Sequence, residues 1–203
     1  MIGVINIGTG NAKSLIEAYK KLNINATICS EPNHLQKIKK LILPGVGAFG
    51  KFMKNLHQKK LYDPIKKYSS DGMPILGICV GFQSLFTDCN EFGMNEGFNL
   101  IKGNVKKLDN KNTSKVPHMG WNNCEIFSFD NLFRNLDNNL DFYFCHSYEV
   151  LNVNNKFILS NTYYGHNIIS SVKNENIFGV QFHPEKSQKN GLKILDNFAK
   201  IID

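Results

Sequence analysis

A chain of 203 residues with 42% hydrophobic composition can bury one substantial core, and we expect one domain spanning residues 1–203. The formal net charge of +7 is almost all lysine, with Arg134 the single arginine, which argues against nucleic-acid binding and reads as solvated surface suited to an acidic partner. No run of about 18 apolar residues suggests a membrane span, the start MIGVINIGTG lacks a secretory pattern, and five cysteines without C-x-x-C pairing point away from disulfides or a metal and toward a reducing cytoplasm.

Residues 2–7, IGVINI, predict a short apolar strand, and the turn GTGN, Gly8 to Asn11, leads into an amphipathic helix. Leu15, Ile16, Ala18, Tyr19 and Leu22 recur on it at helical spacing. Gly8 and Gly10 do not complete G-x-G-x-x-G, so a dinucleotide site is poorly supported. A second strand, Ala26 to Cys29, precedes a proline-containing turn and a short lysine-rich helix. In KLILPGVGAFG, Lys40 to Gly50, an apolar strand breaks at PGVG. Two glycines there permit unusual backbone. The segment reads either as a strand-to-helix turn or as a place where backbone N–H groups face a ligand. A helix ending near Tyr68 and the turn from Ser69 to Pro74 lead into the next strand. Strand and helix alternate four times, the pattern of a parallel sheet covered on both faces, whose ligands sit at the carboxyl ends of its strands.

The stretch PILGICVGFQ, Pro74 to Gln83, has the form of a nucleophile elbow, with an apolar strand, a G-x-C-x-G turn and a segment that reads as a helix. Such a turn exposes the Cys79 thiol at a helix N-terminus, where unpaired N–H groups favour a thiolate. Alone, the motif fits a buried strand ending in an inert cysteine equally well.

From about Asn99 the reading becomes strands and turns: IKGNVKKL, VPHMGWNN, FYFCHSYEV, KFILSNTYY, HNIISSVKN and NIFGVQFHPEKS, which we expect as antiparallel or mixed strands added to the sheet. Asparagine-rich turns fall at Asp109 to Asn112 and Asn152 to Asn155. The chain closes with an amphipathic helix, Gly191 to Ile202, carrying Leu192, Leu195, Phe198, Ala199 and Ile202 on its apolar face. In GVQFHPEKS, a strand delivers His183 and, two residues on, Glu185. Nucleophilic catalysis by a thiol needs a base within reach and a carboxylate to orient it. By itself the segment is a surface turn; together with the Cys79 elbow it completes a Cys-His-Glu set.

GICVGFQ together with QFHPEKS resembles the class I, triad-type glutamine amidotransferases. More narrowly, NIGTGNAKSL, LILPGVGAFG, VPHMGWN, FCHSYEV and GVQFHPEKS, in that order, resemble the glutaminase-subunit family of imidazole glycerol phosphate synthases over essentially the whole chain. The resemblance implies a flavodoxin-like or Rossmann-like three-layer α/β/α sandwich. It implies Cys79 as nucleophile, His183 as general base and acid, and Glu185 as third triad member. Oxyanion donors would come from the backbone of Val80 and of Gly45, Val46 and Gly47. Gln83 and Glu91 would hold the amino-acid end of L-glutamine, with the backbone of His146, Ser147 and Tyr148 lining the pocket. No cofactor or metal is implied. Val80 and Phe82 stand where the family more often has leucine and methionine.

The resemblance further implies a (β/α)8-barrel cyclase subunit as partner in a heterodimer, because released ammonia must reach a second active site. That partner would make imidazole glycerol phosphate and an aminoimidazole carboxamide ribonucleotide. Its docking surface would include Asn11, His118, Met119, Trp121, Tyr143 and Lys186. Trp121 reads either as an interface anchor or as core packing. His118, with no carboxylate two positions away, suits an interface or structural role better than that of a base. Competing readings are a paralogous amidotransferase serving a surface-sugar amidination enzyme, a stand-alone cysteine hydrolase or γ-glutamyl peptidase, and a catalytically silent interaction module.

Overall fold

The computed structural model describes residues 1–8, 11–109, 115–128, 130–136 and 140–201. Three expectations fall partly outside these residues: the middle of the GTGN turn, most of the turn from Asp109 to Asn112, and Ile202 on the last helix.

The first half alternates as its apolar periodicity demands. Strand β1 (Ile2–Ile5) leads to helix α1 (Ala12–Lys21), then β2 (Ala26–Cys29), a 3-10 turn (Pro32–Lys37) and β3 (Lys40–Gly45). Where one helix was expected before Tyr68, there are two, α2 (Phe49–Gln58) and α3 (Tyr62–Ser70). Lys60, at φ 55°, breaks the helical path between them. Strand β4 (Ile75–Cys79) then feeds α4 (Val80–Gln83), a single turn rather than a full helix.

The second half contains β5 (Asp88–Cys89), β6 (Asn95–Glu96), β7 (Asn104–Lys107), β8 (His118–Ile126), β9 (Asp141–His146), β10 (Tyr148–Leu151), β11 (Ile158–Tyr163), β12 (Asn167–Asn174) and β13 (Ile177–Val180), and closes with α5 (Gln188–Lys200). A nine-stranded sheet runs in the order β2-β1-β3-β4-β13-β12-β11-β8-β9. From β2 to β13 every pairing is parallel; from β13 to β9 every pairing is antiparallel. The inner parallel strands β1, β4 and β13 are buried along their whole length because helices cover both faces, while β2 at the edge is only half-buried until Cys29. The strand order reverses between β1 and β3. Right-handed crossovers therefore send α1 to one face and α2 and α3 to the other. Helix α1 packs with α5, and α2 packs with α3 and α4.

The expectation that all later strands extend one sheet holds only in part. A separate four-stranded sheet runs β10-β7-β5-β6. FYFCHSYEV, expected as one strand, is divided between the two sheets. Strand β9 ends at His146 in the large sheet and β10 begins at Tyr148 in the small one, leaving Ser147 at the crossing.

Candidate active site

Three adjacent strands, β3, β4 and β13, end at the same edge of the sheet. Gly45 pairs with Cys79 at that edge, and β13 runs on from Val180 to His183. Cys79 sits at φ 55°, ψ −109°, a left-handed conformation that a side chain resists and that an elbow turn imposes. The turn forms only because its glycines admit close backbone. A Cβ on Gly81 would overlap the carbonyl of Leu43, and one on Gly77 would lie 2.6 Å from the carbonyl oxygen of Gly81. Phe82 is fully buried against the backbone of Gly179 and meets Phe86 edge-on at 5.2 Å, so the larger side chain finds room where β13 has no Cβ.

His183 Nδ1 and Glu185 Oε1 lie 2.9 Å apart, and both side chains are almost wholly buried. With Nδ1 so engaged, the opposite edge of the imidazole serves Cys79. Burial disfavours charge on His183, but the neighbouring Cys79, through its charge and a hydrogen bond, and then Glu185 outweigh it and raise the imidazole to about 10. Burial pushes Glu185 upward in turn, yet the hydrogen bond and charge of His183 hold it below the usual carboxylate range. The single-turn α4 is too short to supply the macrodipole expected of a longer helix. The sulfur acts on the imidazole through charge and a hydrogen bond, and the Cys145 carbonyl lies 3.7 Å from Sγ. Burial raises the thiols of Cys29, Cys89 (to about 11) and Cys124 (to about 12), as expected of small packing groups.

The far edge of the large sheet braces this corner. His183 N–H donates to the Tyr143 carbonyl at 2.8 Å, Ser187 Oγ donates to the His183 carbonyl at 2.7 Å, and Tyr143 N–H donates to Ser187 Oγ at 2.9 Å. Phe142 stacks on Phe182 at 4.0 Å.

A cleft of about 440 Å³ opens over Cys79 and His183. Of the expected oxyanion segment, Val46, Gly47 and Val80 line it. Gly45 does not. It is buried at the end of β3, where its Cα faces the Gly81 nitrogen and the Val80 side chain, so its part is close packing. Gln83, Glu91, His146, Ser147 and Tyr148 all border the cleft. Gln83 is already engaged, with Nε2 donating to the Tyr148 carbonyl at 3.1 Å and to Gln181 Oε1 at 3.0 Å. Glu91 Oε2 accepts from the Phe49 N–H at 2.6 Å, tying its loop to the start of α2 beyond PGVG. Ala48, Phe92, Pro117 and Cys145 also border the cleft. Pro117 and Cys145 lie inside motifs the sequence displayed; nothing local marked Phe92.

The expected docking residues divide. Met119 (60% exposed) and Trp121 (49%) stand outward from β8, Trp121 meets Tyr143 edge-on at 6.1 Å, and Lys186 lies 5.5 Å from the centre of the Tyr143 ring. These four form one patch bordering the cleft through Lys186. His118 is not part of that surface. It is 2% exposed, because alternation along β8 turns it inward while Met119 turns out. Asn11 serves the site from behind: its Nδ2 donates to Glu185 Oε1 at 3.2 Å. Among the described residues no cluster suited to a metal ion is found, and no helix is long and apolar enough to cross a membrane.

A cysteine elbow beside a buried His-Glu pair at the carboxyl edge of a mixed sheet is a recognisable class of site, and the sequence comparison agrees with it. The family model for class-I glutamine amidotransferases matches residues 3–202, and the chain belongs to that family. The imidazole glycerol phosphate synthase subunit HisH of Sulfurimonas denitrificans is 44% identical over 204 residues, covering 98% of each chain. That of Moorella thermoacetica is 40% identical, covering 99% of this chain and 95% of the relative. Within the class, this chain groups with those HisH subunits and is a glutamine amidotransferase. The solved structure titled PurLQS from Thermotoga maritima, 19% identical, superposes with a TM-score of 0.78 over 97% of this chain and 96% of that one, which shows the shared fold.

Proposed function

We propose that this chain hydrolyses glutamine through Cys79, His183 and Glu185 and delivers the ammonia to a cyclase subunit of the synthase. The observation that carries the reading is the convergence of the Cys79 elbow and the His183–Glu185 pair from neighbouring strands β4 and β13. The Cys79 thiolate attacks the side-chain amide carbon of glutamine. Charge moves to the carbonyl oxygen, where N–H groups of Val80 and of the Val46–Gly47 turn stabilise it, a contribution of about 3 to 4 kcal/mol per donor. Protonated His183 hands its proton to the departing nitrogen as the C–N bond breaks, releasing ammonia and leaving a γ-glutamyl thioester. Neutral His183 then takes a proton from water as the water oxygen attacks the thioester. The C–S bond breaks, glutamate leaves, and thiolate and imidazolium are restored. Glu185, steadied by Asn11, orients the ring and stabilises its charge throughout.

Gln83 and Glu91 hold the amino-acid end of the substrate together with the backbone of residues 146–148. Ammonia that escaped to neutral water would protonate and lose its nucleophilicity, so its consumer must dock at the mouth of the cleft. Met119, Trp121, Tyr143 and Lys186 supply that surface, and its occupant is a (β/α)8-barrel cyclase forming a heterodimer in the cytoplasm. Neither nucleic acid nor membrane has a part in this reading. The test is glutamine hydrolysis measured with and without the candidate cyclase and its nucleotide substrate. The expected result is slow turnover alone and fast turnover with both. Full-rate hydrolysis by the lone chain would remove the coupling, and absence of hydrolysis in the complex would remove the function.

A further inference from the structure

Between the outward patch on β8 and the cleft lies a buried imidazole pair to which the mechanism above gives no task. His118 opens β8 and His146 closes β9 directly opposite, with His118 Nδ1 and His146 Nε2 3.0 Å apart. The ends of this chain of bonds fix where the protons sit. The Tyr148 carbonyl accepts from His146 Nδ1 at 2.8 Å, so that nitrogen carries the hydrogen and Nε2 is an acceptor. His118 Nδ1 must then donate, which leaves its Nε2 to accept from Asn122 Nδ2 at 3.2 Å. Asn122 Nδ2 also donates to the Tyr163 carbonyl at 2.9 Å. All four ring nitrogens have a partner, and each proton has one direction, from Asn122 through His118 and His146 to Tyr148. Burial holds His118 and His146 neutral, lowering them to about 4 and about 3.

Packing locks the same path. The His118 ring is stacked between Phe144 at 4.6 Å and Tyr164 at 4.1 Å. One residue past Tyr148, Glu149 Oε2 meets His166 Nε2 at 2.8 Å. The tip of the β11–β12 hairpin thus grips this region through the Tyr163 carbonyl, the Tyr164 ring and His166. The segment it grips is where the chain passes from the large sheet to the small one. The two ladders fix the ends of that crossing, and the Tyr148 carbonyl, held by both His146 and Gln83, fixes its orientation.

We propose that the directed chain Asn122–His118–His146 is a positioning device for the crossing at Ser147 and Tyr148, and that it sets the affinity of the cleft for the amino-acid end of glutamine. The proposal rests on the reading that the cleft takes glutamine. His118 and Asn122 are positioning residues; neither borders the cleft.

Asn122→Asp tests the polarity of the chain with almost no change in shape. A carboxylate only accepts, so it draws a hydrogen to His118 Nε2, either by emptying Nδ1, which leaves two acceptors facing each other between the rings, or by charging the buried ring, and it ends the bond to the Tyr163 carbonyl. His118→Phe keeps the aromatic stack and removes both hydrogen bonds, while His118→Asn restores an N–H close to the place of Nδ1. Glutaminase kinetics of the full chain in its synthase complex should show glutamine KM raised about tenfold in the first two variants with kcat held within about twofold, the order set by one unsatisfied buried group. His118→Asn should recover most of that loss. Imidazole nitrogen NMR of the wild type should show Nδ1–H on both rings. An unchanged KM in folded His118→Phe, or wild-type rings in the opposite tautomer, overturns the proposal. A wild-type complex that leaves glutamine intact fails the functional reading instead, and the NMR spectra still decide whether the proton chain exists.

Discussion

The nine-stranded sheet has two halves that contribute in different ways. The parallel half, β2 to β13, delivers the Cys-His-Glu set: Cys79 ends β4 and His183 follows β13, its neighbour in the sheet, although the two are 104 positions apart in sequence. Its inner strands are buried and its chemistry sits in short motifs. The antiparallel half, with the small sheet beyond it, delivers backbone and surface: the crossing at Ser147, the patch around Trp121, and the bonds from Tyr143 that brace the His183 turn. On the proposed function, the first half carries the bond changes and, through Gln83, part of the hold on the substrate, and the second supplies the rest of the pocket wall and the docking surface. Damage to the two should therefore show in different measurements.

Cys79→Ala should give the largest effect. On the proposed mechanism this removes the nucleophile, so glutamine turnover should fall about 10⁵-fold or more, while circular dichroism and partner binding stay as they were. Residual turnover near wild type would take the chemistry away from the parallel half. Glu185→Gln follows. It keeps the shape but weakens support for the imidazolium, so kcat should drop about 10²- to 10⁴-fold with glutamine KM little changed. A raised KM with kcat unchanged would take Glu185 out of the chemistry.

Trp121→Ala examines the other half. On the proposed docking surface Trp121 is an aromatic anchor, whose truncation costs about 2 kcal/mol or more, so the dissociation constant for the cyclase should rise roughly 30-fold by calorimetry, with turnover by the isolated chain unchanged. The smallest effect is on stability. His118 and His146 are lowered from 6.5 to about 4 and about 3, so the unfolded chain binds more protons than the folded one within that window. Their contribution is complete above about pH 6.5 and is lost as pH falls toward 4. His183 acts oppositely: raised to about 10, it contributes fully below 6.5 and loses that contribution as pH rises through 10. Urea midpoints across pH should fall on both flanks, and His118→Phe should flatten the acid flank alone.

The sequence made the parallel half readable because its signals are local. Apolar runs of strand length, glycines where backbone must pass close, and a His-Pro-Glu turn each lie within a few residues, and β2, β3 and β4 fall where those signals place them. Signals failed where the answer depended on distant partners. FYFCHSYEV looks like one strand because its apolar residues run on, yet pairing with β8 on one side of Ser147 and with β7 on the other divides it. In VPHMGWNN, His118 suits an interface or a structural role alike, and only the register of β8, which turns Met119 out and His118 in opposite His146, selects the structural one. Asn11 lies far from Glu185 in sequence, so no spacing rule could join them.

By itself the sequence determined the strands of the first half and the family, and it displayed the three residues of the Cys-His-Glu set, since each is written in contiguous residues. Only the tertiary structure decided that Gly45 packs rather than lines the cleft, that Gln83 and Glu91 arrive already hydrogen-bonded, and that two buried histidines carry a directed proton chain to the pocket wall. Those outcomes follow from which strands pair and in what register, and pairing is a property of the whole folded chain.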